Sequence, residues 1–355
     1  MPIAEDASFW RAVLLGGAIG DALGAGVEFL SLSDIHKKFG PSGITELVEH
    51  DGRVGAITDD TQMTLFTAEA LLGANRRSAS YGIASFEGAL HYSYLRWLAT
   101  QGERVELKPG ARPLELRGLL WDCPDLHHRR SPGRTCLMAL RAGEYGTPEK
   151  PINHSKGCGG VMRAAPGARW GFQSGKAIAA ITHGHPTGYL TAGACVVILN
   201  QLKQGNGLEV GVEVALEKLR NEPRADETAN ALRHARELAL ADEPDEPATV
   251  ERLGGGWVAE EALAIAVFAA WRAKGDFRRG VRLAVNHSGD SDSTGAIAGN
   301  LLGALCGEAE LPAEWVEPLE ARDVIVQVAQ DLAAGPPPDE DREAFLAHAK
   351  RYPYC

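Results

Sequence analysis

Signatures of several common protein classes are absent from this sequence of 355 residues. Its six cysteines never occur in a C-x-x-C spacing, so neither a zinc ribbon nor a disulfide framework is indicated, and a reduced, cytoplasmic location is expected. Neither G-x-S-x-G nor a complete G-x-x-x-x-G-K-S/T occurs. These absences argue against serine hydrolases with a nucleophile elbow and against P-loop nucleotidases.

An excess of positive charge and a long apolar run are also lacking. With 36 lysines and arginines against 47 aspartates and glutamates, the formal charge of −11 argues against a broad basic face that wraps nucleic acid. The longest apolar candidate, residues 262–271, is shorter than the roughly 18 residues of a membrane span. Near the start, Glu5 and Asp6 stand where a signal peptide needs basic residues. We therefore expect neither membrane nor nucleic acid as a partner, and the oligomeric state stays open.

Sustained two-residue alternation hardly occurs, whereas helical spacing of apolar residues is found almost everywhere, which predicts an all-α fold. Long surface loops are predicted at residues 107–132 and 242–256. One compact domain is expected over residues 1–335, with a proline-rich spacer and a helical tail at 336–355 packed on or near it. Helices are predicted at residues 9–23, 61–75, 85–100, 133–142, 175–183, 189–204, 208–219, 225–240, 258–273, 277–286, 294–306, 321–333 and 340–349.

Two acidic strings that lie more than two hundred residues apart each precede a helix-like run of small and apolar residues. The first string is residues 58–61, Thr-Asp-Asp-Thr, and the second is residues 289–294, Gly-Asp-Ser-Asp-Ser-Thr. A helix N-cap needs one acceptor, but each string supplies two carboxylates. Carboxylates and hydroxyls without neighbouring histidine or thiolate form the oxygen ligand set that Mg²⁺ or Mn²⁺ prefers. The strings therefore predict one shared site for hard cations, because carboxylates buried together without a cation would repel one another.

The chain resembles the ADP-ribosylglycohydrolases in five motifs that follow the order of that family. The motifs are residues 16–24 with Glu28, residues 58–61, residues 157–163, Thr182-His183 before Gly188-Tyr189, and residues 289–293. The resemblance implies a compact, single-domain, multi-helix fold of the ADP-ribosylglycohydrolase type. It also implies a dinuclear site in a central cleft, occupied by two divalent cations, Mg²⁺ or Mn²⁺.

The resemblance also assigns residues. Glu28 is its mobile active-site glutamate, and Asp60 or Asp292 could orient the attacking water. The hydroxyl ligand of the second string is expected on Ser293, although Thr294 next to it could compete. The metal ligands fall on Thr58, Asp59, Asp60, Asp290, Asp292 and Ser293, and the residues that contact ADP-ribose fall on Gly157, Cys158, Gly159, Gly160 and His183. Without the resemblance, residues 157–160 indicate a plain turn with a helix cap, and His183 indicates a packed histidine.

The expected function is the hydrolysis of the glycosidic bond between C1″ of ADP-ribose and a modified acceptor, which reverses ADP-ribosylation. The acceptor could be an arginine or serine side chain of a protein, or a small ADP-ribose derivative, and variable loops would choose among them. Two alternatives stay open. One is a non-catalytic member that binds ADP-ribose or serves a structural role, and the other is a different metal-dependent nucleotide hydrolase.

Overall fold

The architecture is almost entirely helical. The structure is a computed structural model that describes residues 3–354, with side chains from residue 6 onward. In this part of the chain the only strands are β1 (Glu49–His50) and β2 (Arg53–Val54), which pair as an antiparallel hairpin, and no helix has the length and apolar character to cross a membrane. The helices are α1 (Ile3–Gly24), α2 (Leu32–Phe39), α3 (Asp59–Tyr81), α4 (Phe86–Thr100), α5 (Arg134–Arg141), α6 (Phe172–Ala180), α7 (Pro186–Lys203), α8 (Leu208–Arg220), α9 (Asp226–Leu240), α10 (Pro247–Val250), α11 (Ala259–Ala273), α12 (Phe277–Val285), α13 (Ser291–Cys306), α14 (Ala313–Val316), α15 (Arg322–Ala334) and α16 (Arg342–Arg351).

The all-α prediction is confirmed, and each predicted helix is present with its ends shifted by at most six residues. The sequence analysis missed α2, α10, α14 and the hairpin. Helix α2 was missed although Leu32, Ile35 and Phe39 recur at helical spacing, because it has only eight residues and the stripe is too short to stand out. Its capping signal was available, since the Ser31 hydroxyl accepts a hydrogen bond from the Asp34 amide at the start of the helix.

Helices α1 and α13 pack backbone against backbone in antiparallel directions. A Cβ on Gly20 would lie 1.9 Å from the carbonyl oxygen of Gly295, and a Cβ on Gly16 would lie 2.4 Å from that of Gly299. Any side chain at these positions would push the two helices apart. This contact brings the C-terminal end of α1 to the N-terminal end of α13, where the second acidic string lies.

The C-terminal segment packs on the helical body. The Tyr352 hydroxyl donates a hydrogen bond to Asp331 at 2.6 Å, and the Arg96 guanidinium donates to the carbonyl of Pro353 at 3.2 Å. Tyr352 is fully buried as a result. The division into a domain at 1–335 and a packed tail at 336–355 stays a prediction.

Candidate active site

The two acidic strings lie in one cleft of about 430 Å³, although more than two hundred residues separate them in sequence. The first string forms the N-terminal end of α3, and the second forms the N-terminal end of α13. Glu28, in the turn that follows α1, reaches the same cleft. Of the residues expected to bind metal or act in catalysis, those that line the cleft are Glu28, Asp59, Asp60, Asp290, Asp292 and Ser293.

Three of these carboxylates are close enough to share one cation. Oxygen atoms of Glu28, Asp290 and Asp292 all lie within 4.8 Å of one another. The Oδ1 atom of Asp60 is buried and has no hydrogen-bond partner, which is uncommon for a native carboxylate. An all-oxygen donor set with an unsatisfied buried acceptor suits a hard divalent cation, so the residues present fit the metal that the sequence implies.

The charges around the cleft are predominantly negative. Burial, followed by the charges of Asp292 and Asp290, raises the pKa of Glu28 to about 10. Burial is also the largest cause that raises the pKa values of Asp59, Asp60 and Asp290 well above their ordinary values. Carboxylates in this arrangement hold protons tightly unless a cation neutralises them.

Asp21 organises the first acidic string from α1. Its carboxylate accepts hydrogen bonds from the backbone amides of Thr58 at 3.0 Å and Thr61 at 3.1 Å. The Thr58 hydroxyl caps α3 by accepting from the Asp60 amide at 3.2 Å, and Thr58 does not line the cleft. Burial and then Asp292 raise the pKa of Asp21 to about 7. Sequence analysis gave Asp21 no role, although an aspartate inside an apolar helix is a signal that could have identified it.

The second string is shaped by a loop that only glycine permits. Gly289 has φ of +155°, and a Cβ there would lie 2.0 Å from the Gly255 carbonyl oxygen. The Asp290 amide donates to that same carbonyl at 2.8 Å. The Asp290 side chain caps α13, and its Oδ2 accepts from the Cys158 thiol at 2.8 Å. Capping and cleft lining are therefore combined in one residue.

The neighbouring hydroxyls of Ser293 and Thr294 point in different directions. The Thr294 hydroxyl donates to the Ala284 carbonyl at 2.9 Å and contacts His287 Nε2 at 2.9 Å, inside the protein. Ser293 lines the cleft, and its hydroxyl has only long contacts, of 3.6 Å and 3.7 Å, to the sulfur atoms of Cys158 and Met162. Only the Ser293 hydroxyl is therefore directed to the cleft.

The glycine-rich stretch forms one wall of the cleft. Gly157, Cys158 and Gly159 line it, whereas a Cβ on Gly160 would lie 2.7 Å from that of Ala179, so Gly160 packs behind the wall. His183 lines the cleft next to Gly159 and shares a 2.8 Å hydrogen bond between its Nδ1 and the Thr182 hydroxyl. Burial, followed by the charge of Arg163, lowers the pKa of His183 to about 3, so its ring is neutral. His185, by contrast, caps α7 by accepting from the Thr187 amide.

Arg163 follows the glycine-rich stretch but points into the core. Its guanidinium donates to the Thr182 hydroxyl at 2.7 Å and to the Ile178 carbonyl at 2.9 Å, and it lies 4.3 Å from the centre of the Tyr94 ring. From this position its charge lowers the pKa of Asp59 against the stronger effect of burial. Arg163 therefore supports the site from behind and does not line the cleft.

Two aromatic residues at the cleft were missed in the sequence. Phe29 and Trp257 both line it, and their rings stack with centroids 5.3 Å apart and an angle of 26° between the planes. Phe29 is 70% exposed and Trp257 is 44% exposed. No periodicity marks either residue, because Phe29 follows Glu28 in a turn and Trp257 lies between a predicted loop and a predicted helix.

The sequence contains one His-Asp dipeptide, His50-Asp51, which is the ligand pair typical of all-α phosphohydrolases. It lies in the β1–β2 hairpin, and neither residue lines the cleft. Asp51 instead pairs with Arg130 at 3.3 Å. This placement disfavours a phosphohydrolase site built on that pair.

Comparison with known proteins identifies a single family. The sequence model of the family described as ADP-ribosylglycohydrolase matches residues 4–341. The chain is similar to an ADP-ribosylarginine hydrolase of Pseudomonas putida, with 26% identity over 347 residues that cover 95% of this chain and 81% of that protein. It is also similar to the ADP-ribosyl-dinitrogen reductase glycohydrolase of Rhodospirillum rubrum, with 27% identity over 330 residues that cover 87% and 89% of the two chains.

A solved structure described as an ADP-ribosylglycohydrolase-related protein complex has the same fold. Its chain superposes with a TM-score of 0.66 and 26% identity, over 93% of this chain and 99% of the other. The likeness therefore spans the helical body together with the segments that form the cleft.

Proposed function

The chain belongs to the ADP-ribosylglycohydrolase family, and we propose that it hydrolyses the bond between C1″ of ADP-ribose and a modified acceptor. Relatives named for hydrolysis of ADP-ribosylarginine and of ADP-ribosylated dinitrogen reductase support this reaction and a protein substrate. The observation that carries the proposal is the meeting of Glu28 and the two acidic strings in one cleft. Three separate parts of the chain supply those carboxylates, and a structural role does not require that arrangement.

The metal site is proposed to hold two divalent cations, Mg²⁺ or Mn²⁺. When bound, such ions supply Lewis acidity that activates a water molecule and fix the hydroxyls of the distal ribose. Ser293 is preferred over Thr294 as the hydroxyl ligand because the Thr294 hydroxyl is engaged inside the protein. Thr58 is proposed on the resemblance alone, since it does not line the cleft. The ligands are proposed to be Thr58, Asp59, Asp60, Asp290, Asp292 and Ser293.

Glu28 is proposed as the residue that handles the proton of the leaving group. It lies in a turn beyond the end of α1, whereas the four aspartates lie at the starts of two helices. Without a cation, burial and the charges of Asp292 and Asp290 raise the pKa of Glu28 to about 10, and bound cations would lower it, so the carboxyl group of the loaded site can both hold a proton and release it to the departing acceptor atom. Asp60 or Asp292 would orient the attacking water.

The glycine wall and His183 are proposed to hold the ADP-ribose. Gly157 and Gly159 have no side chain, so a substrate can approach their backbone closely. The neutral ring of His183 next to them can accept or donate one hydrogen bond without adding charge. Together these groups would place C1″ next to the carboxylates, because Cys158 in the glycine wall contacts Asp290.

A release assay tests the proposal. The purified protein is incubated with proteins ADP-ribosylated on arginine or on serine, and with O-acetyl-ADP-ribose, while free ADP-ribose is measured. We expect release from at least one substrate, loss of release on chelation, and recovery with Mg²⁺ or Mn²⁺. Tight binding of ADP-ribose without release from any substrate would favour the non-catalytic alternative. Release that continues under chelation would refute the metal-dependent part.

A further inference from the structure

The stacked rings of Phe29 and Trp257 form an exposed aromatic surface at the mouth of the cleft. Large aromatic side chains usually stabilise a protein by being buried in its core, and the exposure of Phe29 and Trp257 gives up part of that stabilisation. Their outer faces are instead left open beside the carboxylates of the candidate site. An exposed aromatic surface that adjoins a reaction centre is typical of a ligand contact.

Backbone hydrogen bonds connect Phe29 and Trp257 to the parts of the cleft that would hold the substrate. Phe29 adopts a left-handed conformation with φ of +64°, which is strained for a non-glycine residue. The Phe29 amide donates to the carbonyl of Gly289 at 3.4 Å, beside the second acidic string. The Trp257 carbonyl accepts from the Cys158 amide at 3.2 Å, in the glycine wall. The ring pair is therefore positioned relative to both walls.

We infer that Phe29 and Trp257 bind the acceptor side of the substrate and favour a planar cation, the guanidinium of an ADP-ribosylated arginine. This inference rests on the proposed hydrolysis. The acceptor side chain joins the ribose, held deep at the carboxylates, to the body of a modified protein outside the cleft. It must therefore pass the mouth, where the rings lie.

The chemistry of the mouth matches a guanidinium better than the other acceptors. A guanidinium stacks on aromatic faces and is attracted by the ring electrons. A serine acceptor offers neither a flat surface nor a charge, and an acetyl acceptor offers no charge.

The test compares ring-deleted variants with matched controls on three substrates. Phe29→Gly removes one ring and suits the left-handed backbone, and Trp257→Ala removes the other. Trp257→Phe keeps an aromatic face, and Tyr81→Ala deletes an aromatic side chain that is equally exposed but lies outside the cleft. KM and kcat are measured on ADP-ribosyl-arginine, ADP-ribosyl-serine and O-acetyl-ADP-ribose, and ADP-ribose is used as a product inhibitor.

We expect each ring deletion to raise KM for ADP-ribosyl-arginine about tenfold, with kcat changed by less than about twofold. Values for the other two substrates and the inhibition constant of ADP-ribose, which has no acceptor, should stay unchanged. Trp257→Phe and Tyr81→Ala should behave like the wild type.

Three results would overturn the inference. Weaker inhibition by ADP-ribose, with equal losses on all substrates, would mean that the rings hold ADP-ribose itself. A lower kcat on every substrate would mean that the rings act by positioning Glu28, and unchanged kinetics would remove them from the site. If the wild type released no ADP-ribose at all, the proposed function would fail, and calorimetric binding of ADP-ribosyl-arginine to the same variants would still decide the role of the rings.

Discussion

Two buried carboxylates on the same helix, Asp60 and Glu69 of α3, have opposite electrostatic surroundings. Glu69 accepts hydrogen bonds from the Arg96 guanidinium at 2.7 Å and from the Ser93 hydroxyl at 2.8 Å, so the protein supplies its counter-charge. The charges that act on Asp60 come from Asp292, Asp21 and other aspartates, and all of them raise its pKa. Burial is nearly complete for both residues. The difference shows that the sign of the neighbouring charges, and not burial, separates a structural carboxylate from a candidate ligand.

The comparison of Asp60 with Glu69 is tested most strongly by replacing a carboxylate of the cleft with a neutral amide. Asp60→Asn and Asp292→Asn should each lower hydrolysis by about a thousandfold or more, because a cation ligand is lost. Metal content of the purified protein, measured by mass spectrometry, should fall as well. The metal-free variants should be as stable as the wild type or more stable, because a repulsive charge is removed. Full activity in either variant would exclude that residue from the site.

Substitution of the buried ion pair of Arg96 and Glu69 should have the opposite effect, lowering stability and leaving activity unchanged. Arg96→Met leaves Glu69 buried without its partner and should lower the free energy of unfolding by about 3–5 kcal/mol. Activity per folded molecule should stay near the wild-type value. The double variant Arg96→Met with Glu69→Gln should recover part of the loss, and urea unfolding measures all three. A stable single variant would show that the pair is not needed for the fold.

Glu28 can act either as a proton donor or as a third ligand with Asp290 and Asp292. We predict that Glu28→Gln lowers kcat about a hundredfold while metal occupancy is kept. The physical reason is that an amide retains the shape of the side chain but cannot transfer the proton. Loss of metal in parallel with activity would instead assign Glu28 to the ligand set.

The pH dependence of stability should differ with and without metal. The pKa of Asp21 rises from 3.8 to about 7 on folding, so the folded protein binds more protons than the unfolded chain between those pH values. Stability therefore falls as pH rises through this window, and the cleft aspartates act in the same direction. Without metal, Tm should drop by about 5 °C or more from pH 5 to pH 8. Mg²⁺ or Mn²⁺ should restore it mainly at pH 8, and a Tm insensitive to both would count against the site.

The smallest effects separate the two adjacent hydroxyls. Ser293→Ala should weaken metal binding about tenfold with little change in stability. Thr294→Val should leave metal binding intact and lower stability by about 1–2 kcal/mol, because the Ala284 carbonyl and His287 lose a partner. Thr294→Ser is the control that keeps the hydroxyl. Metal titration and urea unfolding decide the assignment, and the reverse pattern would give the ligand role to Thr294.

The sequence predicted those features that depend on residues close together in the chain, namely most helices and the two acidic strings. Long helices with an apolar stripe were found from their spacing, whereas α2, with only eight residues and Ile35 as its one buried residue, was missed. The acidic strings were found because two carboxylates exceed what a helix cap requires. The role of Asp21 was missed because its partners, the amides of Thr58 and Thr61, lie nearly forty residues away.

The sequence by itself determined the helical class, the family and the carboxylates of both acidic strings, because helical period and short motifs are properties of neighbouring residues. Only the tertiary structure decided that Ser293 and not Thr294 faces the cleft, that Arg163 points into the core, and that two distant aromatic rings stack at the mouth. The positions of Ser293 and of the two rings depend on segments packed around the start of α13, and the orientation of Arg163 depends on its contacts with α4 and α6. Those contacts join residues far apart in the chain, and their geometry exists only after the helices have packed.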